Sequence, residues 1–491
     1  MTKAVTAATV WREYERGAAY KERIDLFKTV RNNENFFIGK QWEGVRAQGL
    51  PQPVFNFLKR VVLFTVAGLV SSSAKIMVSD SDDAPEGCAA AINREMDKLF
   101  ESNKLHALIQ EFLRNAAVDG DGCMYSYWDA ERGVTTEVIE NTRVFFGNAN
   151  ERRVERQPYI ILLTRTLAEN VRARLKPADA PMPHAEDGKV TVLLRLWKNA
   201  ETGTVWCVET VKGAVLRAPW DTGLTLYPLI WLPWDYVQDS YHGQAMITGL
   251  IPNQIFINKL FAMSMLSLMT TAYPRIVYDR SRVSQWDNRV GAAIGIYGGD
   301  VQGAVKILDP AHISPQIAQF IEMAIAHTQT FLGATPAALG DVRPDNTSAI
   351  IALQKAASVP NELTRQNLYQ TLEDLGRIYI DFMRVCYGAR RSGGEVFDFG
   401  SLAETQPTDS AAANASQARR AVASISLRLD VGASGYWSEI AGMQTLDNLL
   451  ARGKIDFEDY LKRVPDGYIP EKRELLEKLR ASEAVAFAKA P

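Results

Sequence analysis

The sequence has few of the residues from which metal centres and acid–base sites are built. It contains four cysteines, whose spacing matches neither a metal site nor a disulfide framework, and five widely separated histidines. With so few potential ligands and bases, we expect no metal centre and no histidine-based catalytic cluster. We interpret the cysteines as small buried hydrophobic residues. The residues concerned are Cys88, Cys123, Cys207, Cys386, His106, His184, His242, His312 and His327.

Motifs that cradle phosphate or activate a nucleophile are also missing from the sequence. There is no G-x-x-x-x-G-K-[ST], H-E-x-x-H, G-x-G-x-x-G or G-x-S-x-G. The run Asp119-Gly-Asp121-Gly could begin a calcium loop, but Cys123 and Met124 occupy the positions that need an oxygen ligand and a glycine. We therefore interpret this run as a turn. The sequence predicts no enzyme, no cofactor and no metal site.

Neither the charge nor the N-terminus indicates a special environment. Basic and acidic residues number 55 and 57, which gives a net charge of −2 and disfavours a broad basic surface for nucleic acid. The first residues lack the apolar core of a signal peptide and fit an amphipathic helix. We expect nothing in the sequence to direct the chain out of the cytoplasm.

The most distinctive feature that is present is the nearly uncharged stretch from Tyr241 to Tyr273, in which Lys259 is the one charged residue. We predict a long helix there, from about Ala245 to Thr270, which at 1.5 Å per residue would be roughly 40 Å long. A helix that is apolar on almost every face is buried in a core, in lipid or against copies of itself. Polar residues interrupt the run, and the apolar part after Lys259 is shorter than the roughly 20 residues that span a bilayer. Packing in an oligomer is therefore favoured, a buried core helix comes second, and lipid is the least favoured of the three.

A second apolar helix is predicted from Ser314 to Leu332, with Glu322 as its one charged residue. Between the two helices, the segments PRIVYD and GAVKIL are typical of strands separated by glycine-rich turns. The sequence thus predicts a small α/β lobe, Pro274 to Ile313, carried on a pair of helices.

The remaining sequence predicts an α+β fold, because helical periodicity surrounds a long region of strand-like alternation from Cys123 to Pro233. A long helix is expected from Asn346 or Thr347 to Tyr387, with a kink near Pro360. Shorter helices are predicted to end near Asn33 and to cover Pro53–Gly68, Cys88–Val118, Trp437–Arg452, Phe457–Val464 and Glu471–Val485, and further strands are predicted in AKIMVS and SISLRLDVG.

The start of the first long helix resembles the stretch that opens the stem helix of portal proteins of tailed bacteriophages. The resemblance extends upstream to NENFFIGKQW and PVFNFLKRVVLFTVAGLV and downstream to LDNLLARGKIDFEDYLKRVPDGYIP, so that it covers most of the chain. No single motif carries it, and it rests on the order of the parts. The matching residues in the stem stretch are Tyr241, Gly243, Ile247, Leu250, Gln254, Ile257 and Asn258.

The resemblance implies a portal-like architecture. Residues 1–240 would form N-terminal helices and a mixed α/β wing, residues 241–273 and 314–334 the two stem helices, and residues 274–313 the clip lobe at their tip. Residues 335–349 would form a tunnel loop, residues 350–435 a long kinked helix and a return to the wing, and residues 436–491 a helical crown and tail.

The resemblance also implies a function. The chain would form a dodecameric ring at one vertex of the virion head, assembled in the host cytoplasm, through which double-stranded DNA is packaged and ejected without sequence specificity. Its partners would be the terminase large subunit, a head-completion or adaptor protein, and the major capsid and scaffold proteins, with no membrane. A nearly neutral wall suits such a channel, because strong neutralisation of phosphates would hold the duplex in place.

Three groups of residues are implied as sites by this resemblance. The DNA channel would be lined by the tunnel loop residues Leu339, Asp341, Arg343, Asp345 and Asn346, the motor would dock on Arg280, Arg282 and Trp286 of the clip, and the ring would pack through Asn258, Leu260, Met265 and Ile321 of the stem. The alternative to a portal is a cytoplasmic membrane-associated protein or an enzyme of unrecognised type.

The tunnel loop gives the first testable prediction. Residues 335–349 carry two prolines, a glycine and mixed charge, so they are too irregular to continue a flanking helix. If they line the channel, removal of Leu339 to Arg343 should leave ring formation intact, because the apolar packing lies in the helices, while packaging or retention of DNA fails. Rings are counted by electron microscopy and packaged DNA by nuclease protection. A deletion that abolishes rings, or that packages and retains DNA like the parent, would make the loop an ordinary connection.

Overall fold

The computed structural model mixes helices and strands, which confirms the predicted α+β class. Two compact units are recognised: Met1–Val66, Glu111–Ser126 and Thr136–Thr335 form the first, and Ala67–Gln110, Tyr127–Thr135 and Pro336–Pro491 the second. The structure describes residues 5–46, 49–70, 74–79, 88–175, 185–272, 275–283, 285–287, 294–298, 303–308, 316–331, 361–392, 395–399, 426–431, 436–464 and 475.

The helices of the described residues are α1 Ala7–Arg23, α2 Leu26–Ile38, α3 Phe57–Val70, α4 Cys88–Ser102, α5 Leu105–Asp119, α6 Ala168–Arg174, α7 Ile251–Ala272, α8 Gln316–Phe331, α9 Glu362–Cys386, α10 Tyr436–Ala451 and α11 Phe457–Arg463. The strands are β1 Ala74–Ser79, β2 Asp121–Asp129, β3 Gly133–Val138, β4 Val144–Phe146, β5 Ile160–Leu167, β6 Lys189–Lys198, β7 Val205–Val211, β8 Ala214–Asp221, β9 Leu229–Pro233, β10 Arg275–Tyr278, β11 Val305–Leu308, β12 Ala389–Ser392, β13 Glu395–Asp398 and β14 Ser426–Val431.

The first unit is built on a five-stranded antiparallel sheet in the order β4-β5-β6-β7-β8. Successive residues of a strand point to opposite faces, and both faces of this sheet carry apolar side chains. One face packs with α1, and Arg195 on this face pairs with Glu13 of that helix at 2.6 Å. The core residues on this side are Val10, Phe145, Tyr159, Ile161, Leu193 and Val208. A second cluster packs with α6 and contains Val171, Leu175, Val190, Val192 and Val211.

The second unit is organised around α9, whose buried stripe recurs at helical spacing. The residues predicted for that stripe, Leu368, Leu372, Leu375 and Tyr379, are all buried, which confirms the prediction. Strands β1 and β14 pair antiparallel, with Ile76 opposite Leu429. Asn93 of α4 fixes this pair, because its amide accepts from the backbone nitrogen of Val78 at 2.8 Å and donates to the carbonyl of the same residue at 2.9 Å.

Two helices predicted as continuous are broken by single residues in the left-handed region. The first predicted helix is divided into α1 and α2 at Asp25, where φ is 52°. The predicted helix from Cys88 to Val118 is divided into α4 and α5 at Lys104, where φ is 49°. Asn103 supports the second break, because its side-chain amide donates to Leu99 O and Val134 O, both at 3.0 Å.

The long apolar helix also begins later than predicted. A short 3-10 turn occupies Ile247–Gly249, and α7 starts at Ile251 rather than at Ala245. Pro252 explains the difference, because a proline deep inside a helix would lack its amide donor and clash with the carbonyl four residues earlier, whereas it is tolerated in the first turn.

The other element predictions fare as follows. Strands were predicted correctly at PRIVYD and GAVKIL, which pair antiparallel as β10 and β11, and at AKIMVS and SISLRLDVG. Strand β8 lies within the region of strand-like alternation predicted from Cys123 to Pro233; it is an exposed or half-exposed edge strand that contains Pro219, a residue that sheets confine to such positions. Helices α10 and α11 match their predictions within a residue. The predicted kink near Pro360 and most of the predicted helix Glu471–Val485 lie outside the described residues.

The turn between α5 and β2 lies against the segment that precedes α7, and two glycines allow this approach. Gly120 has a φ of 101°, and a side chain there would lie 2.8 Å from Gly243 O. A side chain on Gly243 would lie 2.8 Å from Asp235 O and 2.9 Å from Gly120 O. Because these neighbours are backbone atoms, they have little freedom to move aside.

We therefore expect Gly243→Ala to destabilise the first unit by about 1–3 kcal/mol, as overpacking of a filled site does. The measurement is urea unfolding at a fixed protein concentration, followed by tryptophan fluorescence. Gly249→Ala is the matched control, because a side chain at Gly249 would have open space within 4 Å. Equal losses for the two variants would contradict the close approach.

Candidate subunit interface

The segment before α7 is fixed by one buried carboxylate, Asp121, at the start of β2. The Asp121 side chain is fully buried and accepts from the Gly243 backbone nitrogen at 2.8 Å. Its Oδ2 lies 2.7 Å from His242 Nδ1 and 3.2 Å from Asn141 Nδ2. Bonds to an ionised acceptor are stronger than neutral ones, so Asp121 ties the base of α7 to the sheet next to β9.

His242 is enclosed mainly by aromatic rings. Its ring centroid lies 4.0 Å from that of Tyr241, 5.6 Å from Trp231 and 6.3 Å from Tyr20. Burial first, and then the nearby Lys21 charge, lower the pKa of His242, whereas the charge of Asp121 and its hydrogen bond act in the opposite direction. The neutral ring with a proton on Nδ1 fits this site, and Nε2 is buried with no hydrogen-bond partner among the residues that the structure describes.

Lys21 of α1 reaches the same region. Its ammonium group is buried and donates to Asn141 O and Val144 O, both at 2.5 Å, while lying 4.0 Å from the centroid of the Phe145 ring. Burial lowers the pKa of Lys21 to about 7, against the attraction of Asp121. A cation held by two carbonyls and a ring face fixes α1 to the strand that begins at Val144.

A second buried carboxyl, Asp119, lies at the end of α5. Burial, followed by the charge of Glu34, raises the pKa of Asp119 to about 8, so that it carries a proton at neutral pH. Glu34 is itself held by Arg114, with two contacts of 2.5 and 2.6 Å. Next to Glu34, the Asn33 amide donates to Val118 O at 2.8 Å and to the Thr248 hydroxyl at 2.9 Å, which joins α2, α5 and the 3-10 turn.

The first turns of α7 are held by a chain of side-chain amides. Asn258 donates to Gln41 Oε1 at 2.6 Å and accepts from Gln254 Nε2 at 2.9 Å. Gln254 also donates to Phe55 O at 2.7 Å, and Gln41 donates to Asn56 Oδ1 at 3.3 Å. These bonds fix α7 to the connection between α2 and α3.

Beyond Ala262, the character of α7 changes. Every side chain described from Met263 to Met269 is exposed or half-exposed, and five of these residues are large and hydrophobic. Leu268 is the extreme case, at 65% exposure. The exposed hydrophobic residues of this part are Met263, Met265, Leu266, Leu268 and Met269, and Ile255 and Phe256 are exposed earlier in the helix.

Helix α8 packs along α7 and extends this surface. Ile321 is buried, whereas Phe320 and Met323 are 52% and 47% exposed. We call the exposed hydrophobic residues of α7 from Met263 to Met269, together with Phe320 and Met323, the stem surface. Exposed apolar patches of this kind mark interaction sites, and unbranched methionines allow such a surface to fit more than one partner geometry.

The residues predicted for ring packing are placed differently from one another. Met265 is exposed on the stem surface and Leu260 is half-buried, whereas Asn258 and Ile321 are buried within one chain. Asn258 is fully engaged with Gln41 and Gln254. The role of all four in ring packing stays a prediction.

Two of the predicted clip residues, Arg280 and Arg282, lie in one turn. Ser281 donates from both its backbone nitrogen and its hydroxyl to Asp279 Oδ1, at 2.9 and 2.6 Å, and Arg280 of this turn is exposed. Trp286 stacks on Tyr278 with ring centroids 5.4 Å apart. Arg282 and Trp286 are partly buried. Docking of a motor on these residues stays a prediction.

The residues predicted to line the DNA channel, Leu339, Asp341, Arg343, Asp345 and Asn346, lie outside the described residues. Sequence reasoning, in turn, missed Lys21, Asp121 and His242 as a buried cluster. The pair Asp121 and His242 is 121 residues apart in sequence, and no local pattern links them. The one available signal was the predicted turn at Asp119–Gly122, which does occur between α5 and β2.

Within the described part of the chain, no helix is both long and apolar enough to span a membrane. Among the same residues, no group of three or more histidine, cysteine, aspartate or glutamate side chains is arranged to hold a metal ion.

Comparison with known proteins gives one family. The family model described as phage P22-like portal protein matches residues 137–392, which is more than half of the 491 residues. The match includes all five strands of the antiparallel sheet, both long apolar helices and the lobe between them. A search of curated proteins finds no match.

The protonated state of Asp119 leads to a prediction about stability and pH. Because the pKa rises from 3.8 to about 8 on folding, the folded chain holds a proton that the unfolded chain has lost between these pH values. The contribution of Asp119 to stability should therefore fall as pH rises from 5 to 8, by at most about 1.4 kcal/mol per unit. Asp119→Asn should remove this slope, as measured by urea unfolding at pH 5.5 and 7.5 and fixed protein concentration.

Asp129→Asn is the matched control. Backbone N–H groups of Arg132 and Glu131 lower the pKa of Asp129, so it is ionised in both folded and unfolded chains over this range. The control should leave the slope unchanged. A parent-like slope in Asp119→Asn would show that another group holds the proton.

Proposed function

The chain belongs to the phage P22-like portal protein family, and from this premise we propose that it forms a closed dodecameric ring around a channel through which double-stranded DNA enters and leaves the phage head. Portal proteins of this family are structural, non-enzymatic components of the virion head that act as oligomeric rings with capsid and packaging partners. The function of the chain is thus that of a phage portal.

The stem surface is the observation that carries the ring proposal. From Met263 to Met269, the exposed hydrophobic side chains lie on more than one side of α7, and α8 packs along the same helix. A subunit in a closed ring has a neighbour on each side and uses a different patch for each. A helical pair with hydrophobic side chains on more than one face meets that requirement, whereas a single apolar stripe would favour a two-fold dimer.

The stiffness of the base of α7 also supports this assignment. The polar bonds around Asp121 and Gln254 lie before Lys259, and the exposed hydrophobic residues lie mostly after it. A helix that is held firmly at one end presents its other end in a defined direction, so that identical copies can meet with the same geometry. We propose that these bonds set the angle at which stem helices pack in the ring.

We further propose that residues 335–349 form the tunnel loop and that the clip receives the terminase large subunit and later a head-completion or adaptor protein. Arg280 is exposed, and the Tyr278–Trp286 stack offers an aromatic surface beside it. Aromatic residues and arginine are enriched where proteins bind each other strongly. Energy for DNA movement would come from the separate motor, since the sequence has no phosphate-binding loop of its own. Assembly in the host cytoplasm with scaffold and major capsid proteins completes the proposal.

The test of the ring is a charge placed on the stem surface. Leu268→Asp should abolish rings or shift them to protomers, because packing would bury an unpaired carboxylate once in every subunit, at a cost of several kcal/mol each. Folding of the protomer should be unaffected, since Leu268 is 65% exposed. Ring formation is measured by light scattering and negative-stain microscopy, and folding by circular dichroism. Met265→Asp should act in the same direction.

Leu167→Asp is the matched control, because Leu167 is a similarly exposed leucine, at 53%, located at the end of β5 and remote in sequence from the stem. It should form rings like the parent. A parent protein that stays monomeric at micromolar concentration, even with scaffold protein present, would contradict the ring. Rings that survive both Leu268→Asp and Met265→Asp would place the interface elsewhere.

A further inference from the structure

We propose that His242 is a proton-sensitive positioning residue for the stem: neutral, it locks the base of α7 onto Asp121, and on gaining a proton at Nε2 it releases that base. The consequence for the ring rests on the proposed function, whereas the release itself concerns the single chain. The observations that carry the proposal are the buried hydrogen bond, the unpartnered nitrogen and the charges around the ring.

The two nitrogens of His242 have opposite surroundings. Nδ1 lies 2.7 Å from Asp121 Oδ2, and Nε2 is buried without a partner among the described residues. A proton on Nε2 would create a buried N–H donor and a positive charge with no acceptor in reach. Such a group is costly unless it becomes paired or moves to water. The protonated ring is therefore favoured outside its pocket.

The charges facing His242 strengthen this preference. Around the pair of His242 and Asp121, the segment itself contributes Ser240 and Tyr241, and α1 contributes Tyr20 and Lys21. Strand β2 adds Cys123 beside Asp121, the turn before β4 adds Asn141, which donates to Asp121, β4 adds Phe146 against Tyr241, and β9 adds Trp231 against His242. Asp121 is the one carboxylate of this set, and Lys21 already lies within its field. Cationic His242 would be a second positive charge sharing the same carboxylate.

Movement of His242 would be transmitted to α7 by the next residues in the chain. The Gly243 backbone nitrogen donates to the same carboxylate at 2.8 Å, and Asp235 and Gln244 exchange backbone bonds of 3.2 and 3.0 Å. The backbone of Gly243 is also packed directly against Gly120. If the ring leaves, Asp121 Oδ2 keeps Asn141 as its partner and loses His242, so the carboxylate that also accepts from the Gly243 nitrogen through Oδ1 is held less firmly to this segment. The segment that precedes α7 then no longer fixes the angle of this helix.

The direction of the pH effect follows from burial. Burial and Lys21 lower the pKa of His242 below 6.5 in the locked state, and a released ring has its ordinary value. Release therefore becomes more favourable as pH falls below about 6.5, the pKa of the released ring. It stops depending on pH once the pH is below the lowered pKa of the locked ring. Between these two values, the equilibrium constant for release should rise by up to roughly tenfold per pH unit.

The experiment is hydrogen exchange of the full-length protein at pH 7.5, 6.5 and 5.5, with labelling times scaled for the intrinsic exchange rate. In the parent, peptides covering residues 234–250 should lose protection toward pH 5.5, by up to roughly tenfold in exchange rate per unit. His242→Asn should flatten this profile, because asparagine can keep a donor near the Nδ1 position and cannot gain a proton. His106→Asn, an exposed histidine on α5 within hydrogen-bond distance of Gln110, should behave like the parent.

A second variant keeps the test decisive if His242→Asn fails to fold. Lys21→Met removes the charge that opposes protonation of His242, so protection should begin to fall at a higher pH than in the parent. A role for Lys21 that does not act through His242 would lower protection without moving the onset of the loss to a higher pH. The proposal is overturned if the parent shows no pH-dependent loss in residues 234–250, or if the parent and His242→Asn have the same profile.

The experiments distinguish failure of the proposed release of α7 by His242 from failure of the proposed ring. Negative-stain microscopy at pH 7.5 reports the ring independently of exchange in residues 234–250. A pH-dependent exchange profile without rings would support release of α7 by protonation of His242 and contradict the portal ring. Rings with an exchange profile that does not change with pH would support the portal ring and contradict release by His242.

Discussion

The placement of the long apolar helix depends on one buried carboxylate. Asp121 accepts from His242 and from the Gly243 backbone nitrogen, and Asn141 bonds both to it and to the preceding turn. A buried charge without partners would cost several kcal/mol, so the elements that supply those partners are not free to move independently. The N-terminal helix joins them through Lys21, which bonds to the carbonyl of Asn141. Helix α7 thus starts from a point fixed by three distant parts of the chain.

Polar and apolar interactions have separate tasks along α7. Hydrogen bonds among side-chain amides determine which register the first turns take, because Gln254 and Asn258 find their partners in only one position. Hydrophobic side chains beyond Ala262 have no such directional requirement and would supply the driving force for association in the proposed ring. A ring of identical subunits needs both features: first turns of α7 that fix its direction, and hydrophobic residues beyond Ala262 that can pack against a neighbouring subunit. Asn258, which sequence reasoning placed in ring packing, serves the first task in this structure, and its part in the ring stays a prediction.

Periodicity in the sequence was sufficient for the type of most elements and for the order of the parts. It identified the antiparallel region, the lobe between the two apolar helices and the buried stripe of α9. The helix breaks at Asp25 and Lys104 escaped because neither residue is the glycine that usually takes left-handed geometry, and tertiary bonds such as those of Asn103 compensate for the strain. The buried cluster could not be predicted for a different reason: Lys21, Asp121 and His242 are far apart in sequence and meet only in the folded structure, and each one alone fits an ordinary local role. Pro252, by contrast, was a visible signal that the helix begins later.

Asp119 and His242, the two titratable groups beside the contact between Gly120 and Gly243, limit the pH range over which that contact is stable. Asp119 keeps its proton below about pH 8, and His242 stays neutral above a pKa that burial has lowered from 6.5. Near neutral pH both requirements hold, so the carboxyl beside Glu34 is uncharged and the imidazole beside Lys21 is uncharged as well. A rise in pH ionises Asp119 beside Glu34 of α2, and a fall in pH protonates His242 beside Lys21 of α1. Because both groups lie next to Gly120 in the chain or in space, either change acts on the same contact between Gly120 and Gly243, and the base of α7 is the element that loses its support.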